Sequence, residues 1–165
     1  MTTTGDELAG VLDLFGVLTR EELADALTEL AFKQGEKVDS DAVDAAIERA
    51  LTAYVIVEYD PAADTAWTTE ADATYLTVGP AAFPTLPSNA EDLPHILAVD
   101  SRPVDRERLA TQVRHRLEAD TEAAITQDNA DRAAELHDIS YDVGAWGPVD
   151  TDSIRASLSA VLPQD

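Results

Sequence analysis

Leu18-Thr19-Arg20-Glu21-Glu22-Leu23-Ala24-Asp25-Ala26-Leu27 is the stretch on which the reading of the N-terminal half turns. Thr19 and Glu22 stand three residues apart ahead of an apolar run. At that spacing a hydroxyl and a carboxylate satisfy the unpaired N–H groups of a first helical turn reciprocally. The helix so opened carries Leu23, Ala26, Leu27, Leu30 and Ala31 on one face, and Gly35 is a natural terminator. Upstream, Leu8, Val11, Leu12 and Phe15 recur at i, i+3, i+4 and i+7, which predicts a helix from about Asp6 to Gly16. Downstream, Asp39 or Ser40 can cap a third helix bearing Val43, Ala46, Ile47, Ala50 and Leu51.

After the third helix the period changes from helical to extended. Tyr54-Val55-Ile56-Val57-Glu58-Tyr59 is β-branched and aromatic, Asp60-Pro61-Ala62-Ala63-Asp64 is a turn, and Thr74-Tyr75-Leu76-Thr77-Val78 is a second extended run ending at Gly79-Pro80. The two runs can pair as a hairpin, with Val17-Leu18-Thr19 as a small third strand. Three short helices followed by a hairpin resemble the winged helix-turn-helix architecture over residues 6 to 80. The Leu18–Leu27 stretch looks like the way the second helix of that architecture often opens. The expected fold class is mainly α with a small β-hairpin (α+β), with a winged-helix-like half at 1–80, a proline-rich strap or linker at 81–102 and a helical half at 103–165.

Charge bounds the function. The chain has 33 Asp and Glu against 11 Lys and Arg, a net charge of −22, and its only lysines are Lys33 and Lys37. This acidic, lysine-poor composition resembles that of haloarchaeal proteins, and the chain resembles the small acidic haloarchaeal proteins of unassigned function. The resemblance implies adaptation to molar salt, where self-repulsion of the acids is screened. Cysteine is absent, which excludes disulfides, thiolate metal sites and a cysteine nucleophile. No stretch approaches the roughly 20 apolar residues of a membrane helix, and the first seven residues lack the pattern of a secretory leader. A cytoplasmic protein without membrane attachment is expected.

In a winged helix the third helix usually enters the major groove, where Arg, Lys, Asn and Gln read base edges. Its expected outward positions here are Asp41, Asp44, Ala45, Glu48, Arg49 and Thr52, of which Arg49 and Thr52 alone suit that role. The first 60 residues hold 14 acids against Arg20, Lys33, Lys37 and Arg49, a balance that opposes phosphate contact. Docking to another protein is therefore preferred over nucleic acid as the role of this half.

Five of the eight prolines lie between residues 79 and 103. Phe83 and Leu86 supply apolar side chains there, and the segment is expected to strap across the domain, with a peptide-like docking segment as the functional alternative. Leu109, Val113 and Leu117 then mark a narrow stripe on a helix from about Pro103 to Ala119. Arg102, Arg106, Arg108, Arg114 and Arg116 form the only basic cluster, with Arg114 and Arg116 flanking the stripe and Arg108 pointing away. Arginines that flank a seam pair with acids of a neighbouring helix, or they recognise an acidic partner or RNA. A further helix is expected near Asp128–Asp138, then a glycine-punctuated turn from Tyr141 to Pro148, then a last helix capped by Asp150. Trp146 in that turn either plugs the core or anchors an interface.

No phosphate-binding loop, nucleophile elbow, zinc-protease or calcium-loop motif is present. No catalytic residue, metal or cofactor is expected, and the chain reads as a non-enzymatic protein-interaction module. Its candidate partner-binding residues are Arg106, Arg108, Arg114, Arg116 and Trp146, and the partner is another protein or a second copy in a homodimer. The alternative is a transcription-associated regulator that touches DNA through Arg49 and Thr52.

Overall fold

The capping box at Thr19 closes: the Glu22 N–H donates to Thr19 Oγ1 at 3.0 Å, and the Thr19 N–H donates to Glu22 Oε1 at 2.8 Å. The computed structural model describes residues 4–37, 39–70, 72–87 and 90–162. They divide into two compact units between Val104 and Asp105.

In the first unit, α1 (Gly5–Phe15) opens with a second capping box, between Thr4 and Glu7. β1 (Val17–Thr19), α2 (Arg20–Lys33) and α3 (Ser40–Thr52) follow, the last capped by the Asp39 carboxylate. β2 (Ile56–Tyr59) and β3 (Tyr75–Val78) pair antiparallel with Ile56 opposite Val78, and β1 pairs with the other edge of β3 with Leu18 opposite Leu76. The strand order is β1-β3-β2. Leu8, Leu12 and Phe15 of α1 bury against Leu23, Leu27 and Leu30 of α2, Ile47 of α3, and Ile56 and Leu76 of the sheet. Each such side chain contributes about 1.5–3 kcal/mol when withdrawn from water. The fold is thus mainly α with a three-stranded antiparallel sheet, the α+β class expected.

The chain from 79 to 104 belongs to this first unit. Thr85 N–H donates to the Asp6 carbonyl at 2.9 Å, Phe83 N–H donates to Asp6 Oδ1 at 3.3 Å, and Arg102 N–H donates to the Phe15 carbonyl at 2.9 Å. Gly10 makes the crossing over α1 possible, because a Cβ there would stand 2.1 Å from the Thr85 carbonyl oxygen. Within the strap lies a short helix, α4 (Leu93–Leu97), which seats Leu93 in the core. Phe83 and Leu86 do not follow inward, and both are exposed.

Arg102 closes this unit. Its guanidinium grips both Glu22 carboxylate oxygens, at 2.5 and 3.0 Å, and lies 5.6 Å from the Trp67 ring centroid and 5.9 Å from that of Tyr75. Burial pushes the Glu22 carboxyl up, but hydrogen bonds from Arg102 and the Thr19 N–H, with the Arg102 charge, outweigh it and hold the group below its ordinary 4.5. A carboxylate with a lowered folded-state value stabilises the fold above its ordinary value, and that contribution is lost as pH falls through the lowered one. Arg102→Ala is expected to cost about 1.5–3 kcal/mol at neutral pH. The deficit should shrink steadily below pH 4.5, as urea unfolding across that range will show.

The second unit consists of α5 (Arg106–Thr126), α6 (Ala130–Trp146) and α7 (Asp152–Ser159). Its core joins Leu109, Val113 and Leu117 to Leu136, Val143, Ile154 and Leu158. Three expected boundaries are corrected. Pro103 lies outside the helix, which is capped by Asp105 and runs on to Thr126. Pro103 instead presents its carbonyl to the Trp67 indole N–H at 3.0 Å. The stretch from Tyr141 to Trp146 is not a turn but the last part of α6. The buried residue before α7 is Thr151, whose hydroxyl donates to the Ser140 carbonyl at 2.9 Å, while the Asp150 carboxylate accepts from the Asp152 N–H at 2.9 Å.

Candidate functional site

Because α5 is amphipathic only along a narrow stripe, its arginines sit at the stripe's margins, within reach of acids on their own helix. Arg114 pairs with Glu118 one turn on and donates through Nε to the Asp150 carbonyl at 2.8 Å. Arg116 lies 3.5 Å from Asp120, which also meets Arg132 of α6 at 3.7 Å. The expected pairing with a neighbouring helix is thus made by Arg132, while Arg114 and Arg116 bind acids of α5 itself. Arg108 is half-buried. Arg106 stacks over the Trp146 ring at 4.8 Å from its centroid. Trp146 is half-buried at the end of α6, so it neither plugs the core nor stands free as an anchor; it is the platform for Arg106. The five residues form no single face.

In the first unit, α3 turns Val43, Ile47 and Leu51 inward and leaves Asp41, Asp44, Glu48, Arg49 and Thr52 exposed. Arg20, the nearest cation on α2, is drawn onto this face, 2.8 Å from Glu48 and 3.9 Å from Asp44. Arg49 and Thr52 are as accessible as expected, but they share their helix face with three carboxylates.

Two open clefts accompany these surfaces. One of about 680 Å³ in the first unit is lined by Arg20, Glu21, Asp44, Glu70, Asp72 and Thr74. The other, of about 320 Å³ in the second unit, runs between α5 and α7 with Thr121, Glu122, Ile125 and Ile154 along it. Among the described residues no group of three or more His, Cys, Asp or Glu converges so as to hold a metal ion. No helix among them is long and apolar enough to cross a membrane.

The sequence left the proline-rich run open between a strap and a peptide-like docking segment, and the structure adds that Phe83 and Leu86 are exposed. The strap was legible from its prolines, but the direction of its side chains was not. One signal was available: from Ala73 to Ala90 the chain carries no charged residue, although 27% of all its residues are charged.

No curated protein and no solved structure matches this chain. A family profile does, over residues 6–163, which covers both units from the first turn of α1 to beyond α7. The chain belongs to that family, described as a family of unknown function (DUF7109).

Proposed function

We propose that this protein is a non-enzymatic docking module of a halophilic archaeon, acting in the cytoplasm through a winged-helix-like first unit. The element order α1-β1-α2-α3-β2-β3 and the strand order β1-β3-β2 support the winged-helix reading. The observation that carries docking over DNA binding is the exposed face of α3. Where a reading helix needs cations, it offers Asp41, Asp44 and Glu48, with Arg20 already bound to two of them. A DNA phosphate approaching this face would meet like charge and would have to displace those ion pairs. The composition of the whole chain, −22 with two lysines, supports the halophilic setting.

The second reading, a transcription-associated regulator, is favoured by the topology alone, with Arg49 and Thr52 as its contacts. A shift assay with sheared genomic DNA separates the two. Docking predicts weak binding that is the same for wild type and Arg49→Ala. Nanomolar binding lost by tenfold or more in Arg49→Ala would favour the regulator, since one good base contact is worth roughly 1–3 kcal/mol.

A further inference from the structure

Phe83 is 79% exposed and Leu86 43%, yet the backbone that carries them is tied down. Thr85 donates its N–H to the Asp6 carbonyl, its own carbonyl lies against Gly10, and Pro87 is buried. Each exposed residue directly precedes a proline. Pro84 and Pro87 hold φ near −65°, and the residue before a proline is driven into the extended region. The preferred conformation of such a segment is a polyproline II turn, which repeats every three residues and sets positions i and i+3 on one edge, roughly 9 Å apart. Phe83 and Leu86 are that pair. Thr85, between them, makes the inward contacts.

Charge marks the same segment. Burial in β3 accounts for the uncharged Tyr75–Thr77, but Phe83 to Leu86 are exposed. A hydrophobic, uncharged strip on a protein otherwise covered with carboxylates is an interaction surface by the ordinary logic of exposed apolar patches.

We infer that Phe83-Pro84-Thr85-Leu86-Pro87 is a preformed docking ligand, received by an uncharged, aromatic-lined groove on a different protein. The mode is polyproline II recognition, in which aromatic walls receive a stiff extended segment whose ordering cost is already met. Neither of the two clefts described above fits such a ligand on a second copy of this chain, because both carry carboxylates and neither has an aromatic wall. The inference rests on the docking reading and adds its surface and its partner class.

The test uses the full-length protein, immobilised in molar KCl and exposed to the organism's own cytosol. The captured protein is identified and purified, and its affinity is measured for wild type, Phe83→Ser/Leu86→Ser and Phe32→Ser. Phe32 is 77% exposed and lies outside the strap, so it controls for general stickiness. The expected result is a loss of about 100-fold or more in the double variant, as for two anchor residues. The control should be unchanged, and a peptide spanning Gly79–Ala90 should compete. Equal binding by the double variant would overturn the strap and leave the docking reading standing, whereas failure to capture any protein would overturn both. Light scattering and melting complete the test. A wild-type dimer dissociated by the double variant would make a second copy the occupant. A melting temperature more than about 5 °C lower would mean that the pair packs within the molecule. Either result overturns the proposal.

Discussion

Raising KCl from about 0.05 to 3 M is expected to raise the melting temperature by about 10 °C or more, with the low-salt protein partly unfolded. The screening length falls from over ~10 Å to below ~3 Å across that range. The first unit contains 20 acids against five basic residues, the second 13 against six. Arg20 and Arg102 serve three carboxylates in the first unit, and short-range pairs in the second gather around Arg114, Arg116, Arg132 and Arg155. The net excess of carboxylates in each unit is self-repelling over distances at which dilute buffer screens little. Relief of about 3 kcal/mol corresponds to roughly 6–12 °C for a chain of this size. KCl is the right salt, since sulfate would also strengthen apolar burial whatever the protein's charge. Circular dichroism melts across the series provide the check, and a flat profile would overturn the halophilic reading.

Val113→Asp is expected to unfold the second unit. Val113 is 2% exposed in the middle of the α5 seam, between the fully buried Leu109 and Leu117. The substitution removes apolar contacts and introduces a carboxylate among the apolar side chains of the seam. An uncompensated buried charge costs about 3–5 kcal/mol, against a total stability that is usually about 5–15. Acids exceed basic residues twofold in this unit, so the added charge also meets net repulsion. Melting in molar KCl is the measurement, with the emission of Trp146, on the adjoining helix, reporting the loss of packing. A variant with an unchanged melting temperature would show that the α5 stripe is not the organising seam of this unit.

Helix starts were the most legible part of the structure in the sequence. A capping box is a reciprocal contact within four residues, so Thr19 and Glu22 carry it in their spacing alone, as Asp39 carries the start of α3. Helix ends were less legible. Nothing local forbids α6 from continuing through Gly144, which costs only about 1 kcal/mol relative to alanine. Packing of Val143 in the core holds the helix together to Trp146. Pro103 matched a first-turn proline, but the cap is the Asp105 carboxylate, which accepts from the Arg108 N–H at 3.2 Å. The arginine cluster was legible as a composition and not as a site, because the partner of each arginine depends on which way its helix faces.

By itself the sequence determined the α+β class, the three-helix-and-hairpin order of the first unit, the positions of the apolar stripes and the net acidity. These follow from contacts within a turn or from the period of the chain, and a linear string carries both. Only the tertiary structure decided that Arg102 closes on Glu22, 80 residues away, that the strap crosses α1 at Gly10, and that Phe83 and Leu86 face outward while Leu93 faces in. Each of these is a pairing between distant segments. Such a pairing depends on how whole elements bury their apolar faces, and no local spacing encodes that.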